Sequence, residues 1–212
     1  MGRSKLFAAA LLSLLAAACS APDQPTVPLY LAVQRGDLEQ LDRHLHWGSD
    51  INAPLPDGRY PLQAAAELGR QVMVQRLLRH GAEIAATDAG GRTALDLAVL
   101  AGRIRVAEIL LQHGAGLDPS ALLLQAAEYD SMNRDTVRFL IQQGADTEQR
   151  NAAGDTPLLI AIRHGNHRLA THLLNQGADF NATTADGRTA LELARELGAS
   201  ELAAMLHRLG AR

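Results

Sequence analysis

Asp57-Gly58-Arg59-Tyr60-Pro61-Leu62 returns as Gly90-Gly91-Arg92-Thr93-Ala94-Leu95, again as Ala153-Gly154-Asp155-Thr156-Pro157-Leu158, and finally as Asp186-Gly187-Arg188-Thr189-Ala190-Leu191. The first two copies lie 33 residues apart, and so do the last two. The same step links Gly36, Gly69 and Gly102, then Gly48, Gly81 and Gly114, and later Gly144, Gly177 and Gly210. A fixed period of this size marks a chain built from stacked supersecondary units. Within each unit, Asp-Gly or Gly-Gly supplies a tight turn. Thr caps the helix that follows, and Pro157 is harmless at its first position because that amide has no intrahelical partner. A short Ala-rich helix such as Gln63-Ala64-Ala65-Ala66 ends at Gly69 in a left-handed cap. A second helix closes on an aliphatic pair and another Gly: Leu77-Leu78-Arg79-His80-Gly81, Leu110-Leu111-Gln112-His113-Gly114 and Leu173-Leu174-Asn175-Gln176-Gly177.

These motifs resemble the ankyrin repeat, with its turn, Thr-Pro-Leu-His, Ala-Ala, Gly, Leu-Leu pair and Gly-Ala-Asp. The nearest matches are Asp155-Thr156-Pro157-Leu158 and Gly177-Ala178-Asp179-Phe180-Asn181-Ala182. The resemblance covers about residues 26 to 212. It implies an all-α solenoid of about six helix-turn-helix units with short β-turn or hairpin fingers. The expected units are approximately 29–56, 57–88, 89–118, 119–150, 151–182 and 183–212. The His of the family tetrapeptide is absent throughout (Gln63, Asp96, Leu159, Glu192), which removes its usual backbone bonds.

Composition excludes other classes. The 212-residue chain is 47% hydrophobic and 3% aromatic, with a net charge of −3 and one Cys. Bulk attraction to nucleic acid is excluded by the charge, and disulfide frameworks or Cys-based zinc clusters by the lone thiol.

The N-terminus reads as an address. Arg3 and Lys5 precede an apolar run from Leu6 to Ala18 that is too short to span a bilayer comfortably. Residues 1–18 are therefore read as a signal peptide, and 19–28 as Cys19 followed by a Pro-rich linker. Ordinary signal peptidase could cut after Ala16-Ala17-Ala18. Alternatively, Leu15-Ala16-Ala17-Ala18-Cys19 resembles the bacterial lipobox, though with Ala16 where Leu is usual. The lone Cys at this place favours lipidation, because a free thiol is a liability in an oxidising compartment. Ser20 then implies the outer membrane. The expectation is a periplasmic lipoprotein anchored through Cys19. Its mature charge is −5, with no Lys left.

The array has irregular units. His44-Leu45 and Leu206-His207 each lose one aliphatic of the pair, as terminal units with polar outer faces should. In the fourth unit Gly114 and Gly144 are 30 residues apart, which reads as a turn about five residues short with about two inserted near Asp130 to Asn133. Asp118-Pro119 is expected to cap its first helix. The change is either loop drift or a modified groove beside Tyr129.

No nucleotide-binding Gly motif or nucleophile elbow is present. His164, His167 and His172 lie either side of a turn, so no metal site is expected; His80 and His113 suit helix C-termini. A catalytic carboxylate pair needs a cleft that a solenoid does not naturally build. The chain is read as non-catalytic, without cofactor or small-molecule substrate. The resemblance implies a concave groove for a protein partner, lined by fingertips Arg59, Arg92, Asp155 and Arg188. The first-helix positions before each Gly complete it: Gln34, Arg35, Glu67, Leu68, Leu100, Ala101, Glu128, Tyr129, Arg163, His164, Glu196 and Leu197. Three functions follow: an envelope scaffold, an inhibitor or immunity protein occluding an enzyme, or, from another class, a metal-dependent hydrolase using the His164–His172 region.

Overall fold

The computed structural model describes residues 22–128 and 134–211. Among them are twelve helices and no strand, the only β-type pairing being an isolated bridge between Thr183 and Thr189. The first helices of the six units are α1 (Leu29–Arg35), α3 (Pro61–Glu67), α5 (Ala94–Leu100), α7 (Pro119–Ala127), α9 (Pro157–Arg163) and α11 (Ala190–Glu196). The second helices are α2 (Leu38–His46), α4 (Gln71–Arg79), α6 (Ile104–Gln112), α8 (Arg134–Gln142), α10 (His167–Asn175) and α12 (Ser200–Leu209). The leader, Cys19 and Tyr129 lie outside the described residues. No helix among the described residues is long and apolar enough to cross a membrane.

Local chemistry sets the helix ends. Thr93 and Thr189 accept from the third amide of α5 and α11, while Asp96 and Glu192 accept in return from the Thr amide and hydroxyl. Asp118 caps α7 as expected, its Oδ1 accepting from the Ala121 amide at 3.0 Å. Between helices the chain reverses at Gly in a left-handed conformation, for example Gly69 at φ +74°. There the Gly69 amide donates to Ala66 and the Arg70 amide to Ala65, satisfying carbonyls at the end of α3. The space beside these Gly is used by the next unit. A Cβ on Gly36 would sit 2.9 Å from the Arg70 guanidinium, and one on Gly69 would sit 3.0 Å from the Arg103 stem. Arg103 uses that approach to donate to the Glu67 carbonyl at 3.1 Å.

Packing runs between units. Met73, Val74 and Leu77 on α4 recur as Val106, Ala107 and Leu110 on α6 and as Leu169, Ala170 and Leu173 on α10, all essentially buried. The lost tetrapeptide His is replaced in three ways. Gln63 donates to the Ala86 and Arg92 carbonyls, both at 3.0 Å, and so ties unit two to the finger of unit three. Asp96 and Glu192 work as capping acceptors, and Leu159 is simply buried.

Unit four departs further than its spacing suggests. Asp118 follows Gly114 by only four residues, whereas Thr93 follows Gly81 by twelve. The loop is thus eight residues shorter, not five, and the finger is missing. The segment from cap to second helix is longer to compensate, with α7 running 9 residues against 7 in α5. First helices pack in sequence along the array except at this joint, where α5 and α7 barely approach and α6 meets α8 only lightly.

The Pro-rich segment, expected as an extended tether, lies against α2 over its described part. The Thr26 amide donates to Gln40 Oε1 (2.8 Å), and Trp47 Nε1 donates to the Pro22 carbonyl (2.9 Å). His44, in the place of Leu77 and Leu110, is 7% exposed, with Nε2 donating to the Val27 carbonyl and Nδ1 bonded to Ser49 Oγ, both at 2.8 Å. His44 therefore does not face open solvent as a polar end. It holds a strap that covers the end of the stack. The C-terminal end follows the expectation: Leu206 is buried and His207 exposed.

Two variants test these points. Leu110→Ala, in the centre of the stack, should lower unfolding free energy by about 3 kcal/mol in urea titrations. His44→Ala should cost roughly 1–3 kcal/mol and speed hydrogen exchange at the Thr26 amide, with little change in helical circular dichroism.

Candidate partner-binding groove

The fingers are four superimposable turns. The first amide donates to the last carbonyl in each: Leu55 to Arg59 (2.7 Å), Asp88 to Arg92 (3.0 Å), Asn151 to Asp155 (3.0 Å) and Thr184 to Arg188 (2.9 Å). In the last three, the first side chain closes the turn a second time. Asp88 Oδ1, Asn151 Oδ1 and Thr184 Oγ1 accept from the amide of the final residue. Leu55 has no such oxygen, and Asp57 accepts from the Arg59 amide instead.

Three of the four fingers are braced to the groove floor by an ion pair spanning eight residues. Arg59 bonds Glu67, and Arg188 Nη1 bonds Glu196 at 2.8 Å. In unit five the polarity is inverted, with Arg163 donating to Asp155 Oδ2 at 2.9 and 3.1 Å. Unit three has Leu100 at that place, so Arg92 is held only by Asp88, through Nε (3.0 Å) and Nη2 (2.8 Å). The fingertip Arg residues are thus already paired within the chain. Their forks brace the fingers before any partner arrives.

The braces shape the electrostatics. Arg59 holds the Asp57 carboxyl below the usual range, chiefly by hydrogen bonding, against the opposing effect of burial. For Asp88 burial pushes upward, but bonds from Arg92 and from the Arg92 and Gly90 amides together pull it lower. Asp186 is lowered first by the Thr184 hydroxyl and then by Arg188, whose own pKa is raised by Asp186 and Glu196.

Other candidates fall as follows. Leu68 is 42% exposed and Leu197 51% exposed, while Leu100 packs partly against the core. His164 is exposed at the end of α9. His167 and His172 stand five residues apart on α10, roughly 140° around the helix. Burial, then Arg134 and Arg168, lower the His172 pKa. Among the described residues no three His, Cys, Asp or Glu side chains group as metal ligands. His80 and His113 cap helix ends, each Nδ1 donating to the carbonyl one turn back at 2.8 Å. The spacing of eight between opposite charges was visible in the sequence, and it is the signal that would have revealed the braces.

The family model described as "Ankyrin repeats (3 copies)" matches residues 29–121 and again 123–212. The chain belongs to the ankyrin-repeat family. Among solved structures it is similar to a chain in the complex of a predatory endopeptidase with an immunity protein from Bdellovibrio bacteriovorus. That match has 28% identity and TM-score 0.68, covering 88% of this chain and 99% of that one. An ankyrin repeat domain from Acinetobacter baumannii AYE matches at 28% identity and TM-score 0.66, over 87% of this chain and 98% of that one. The ankyrin repeat domain of Bcl-3 matches at 27% identity and TM-score 0.70, over 90% and 89%. No curated protein sequence matches the chain. Ankyrin repeat domains are generally non-catalytic interaction modules, and this one carries no sign of a catalytic family.

The Asp88 brace gives a pH test. A carboxyl whose folded pKa is depressed contributes stability above its unfolded pKa and loses it as pH falls through the folded value. The urea midpoint of the protein should therefore fall between pH 7 and pH 3. Asp88→Asn should start lower at pH 7 and show a smaller fall.

Proposed function

We propose that this ankyrin array is a lipid-anchored periplasmic module that binds one protein partner in its concave groove and, by covering it, inhibits it. The carrying observation is the likeness to a chain in the endopeptidase–immunity protein complex, over 88% of this chain and 99% of that one. The groove suits the task. Its fingers are pre-braced by ion pairs, so little conformational freedom is lost on binding. Exposed Leu68 and Leu197 lie on its floor as apolar anchors among charges. The partner favoured is an endopeptidase of the envelope. A scaffold that recruits an enzyme without silencing it is the alternative.

Anchoring rests on Cys19, the only Cys, placed directly after the apolar run. Mass spectrometry of the native protein should find an acylated Cys19 at the N-terminus, and Cys19→Ala should abolish it. An unmodified terminus at Cys19 would overturn the lipoprotein reading.

For the groove, the protein should capture a partner from envelope extract. Leu68→Asp combined with Leu197→Asp should weaken capture at least tenfold without loss of helicity, since both side chains are exposed. Stoichiometric addition should suppress the captured enzyme's peptidase activity. Full activity in the complex would favour the scaffold, and unaltered capture by the double variant would move the site off the groove.

A further inference from the structure

Trp47 is the only Trp in the chain, and it is 49% exposed at the end of α2, directly before Gly48. The same place before the Gly is taken by His80, His113, Gln143 and Gln176 in the next four units, all polar and all exposed. Stacking therefore asks for no apolar group there. Only the last unit has another, Leu209, 42% exposed at the opposite end of the array.

Fastening the strap does not account for the ring either. The Pro22 carbonyl needs one N–H donor, which it takes from Trp47 Nε1, and a His or Gln side chain carries such a donor too. The rest of the indole is hydrocarbon. It stands edge-on to His46, with ring centroids 6.0 Å apart, and Pro22 beside it is exposed as well. With its N–H engaged inside the chain, the outward part of the ring has no polar group to hydrate.

The course of the chain indicates what covers this spot. Cys19 is three positions from Pro22, at most about 10 Å away. An acyl group on Cys19 brings the indole within reach of the headgroup layer, where Trp side chains collect because they join an apolar body to a polar edge. The spot offers no free cation. Arg43 bonds Glu39 at 2.6 Å and lies 3.8 Å from Asp23. It therefore suits the neutral boundary between headgroups and acyl chains, not an anionic headgroup.

We infer that Trp47 and Pro22 form a membrane-contact surface, with the indole seated at that boundary in the bilayer that holds Cys19. The inference rests on the acylation of Cys19 proposed above. The acyl groups supply the anchoring, and the ring adds a second point of attachment beside it. Two points fix which part of the array meets the lipid: unit one lies against the bilayer and unit six is held away from it.

As the only Trp, Trp47 reports the contact through its own fluorescence. The native protein is reconstituted into phosphatidylcholine–phosphatidylethanolamine vesicles with acyl chains brominated near the headgroup or near the methyl end. Bromine near the headgroup should remove most of the emission, and bromine near the methyl end little. Trp47→Gln combined with Leu209→Trp moves the reporter to the equivalent place in the last unit, where neither lipid should quench it. Trp47→Gln with Gln176→Trp, on an exposed position of unit five, serves the same purpose should the altered last helix lose helicity in circular dichroism. Unquenched Trp47 with an acylated Cys19, or equal quenching in the moved reporters, overturns the contact and leaves the anchor standing. A Trp47 emission that changes only when a captured protein is added gives the ring to that protein and also overturns it. Quenching by the same vesicles when mass spectrometry finds Cys19 unmodified upholds the contact and sinks the anchor.

Discussion

A helix of seven residues cannot hold itself together in water, and the first helices α3, α5, α9 and α11 are no longer than that. Every unit is therefore stable only against its neighbours. Leu77, Leu110 and Leu173 are fully buried because the next unit closes over them. Polar contacts follow the same rule: Gln63 bonds carbonyls of the following unit, and Arg103 reaches back to the end of α3. Stability then behaves as a sum over adjacent interfaces, and the two ends need substitutes for a missing neighbour. At the N-terminal end the substitute is residues 22–28, held by His44, Gln40 and Trp47.

The same constraint frees the concave surface for variation. Stacking uses the apolar faces, so the finger-to-floor braces can change without disturbing the core. They do change: Arg–Glu in units two and six, Asp–Arg in unit five, none in unit three, and no finger in unit four. The backbone repeats while the charge pattern along the groove does not. Specificity for a partner resides in that aperiodic layer, since the periodic one is common to the fold.

The periodic layer was legible in the sequence because its causes are local. Gly at positive φ, Thr at the cap and aliphatic pairs at fixed spacing each act within a few residues. Asp118 could be assigned as a cap for the same reason. The strap was not legible, because its bonds join residues 14 to 25 positions apart and no periodicity marks them. Unit four was misjudged because a lost finger and a longer inter-helix segment nearly cancel between Gly114 and Gly144. The braces were not legible because Glu67 and Glu196, the partners of Arg59 and Arg188, lie on the following helix and come within reach only once the turn is folded back over it.

The docked strap also changes the meaning of the tether. An unconstrained linker from residue 19 to 28 would let the array sweep a hemisphere of roughly 30 Å radius. With Pro22 fastened to Trp47, that point lies only three positions along the chain from Cys19, a span of about 10 Å. On the proposed anchoring, the leash becomes a pivot. The groove then explores a thin shell above the bilayer, which raises its effective concentration toward membrane-bound targets and lowers it toward those deeper in the compartment.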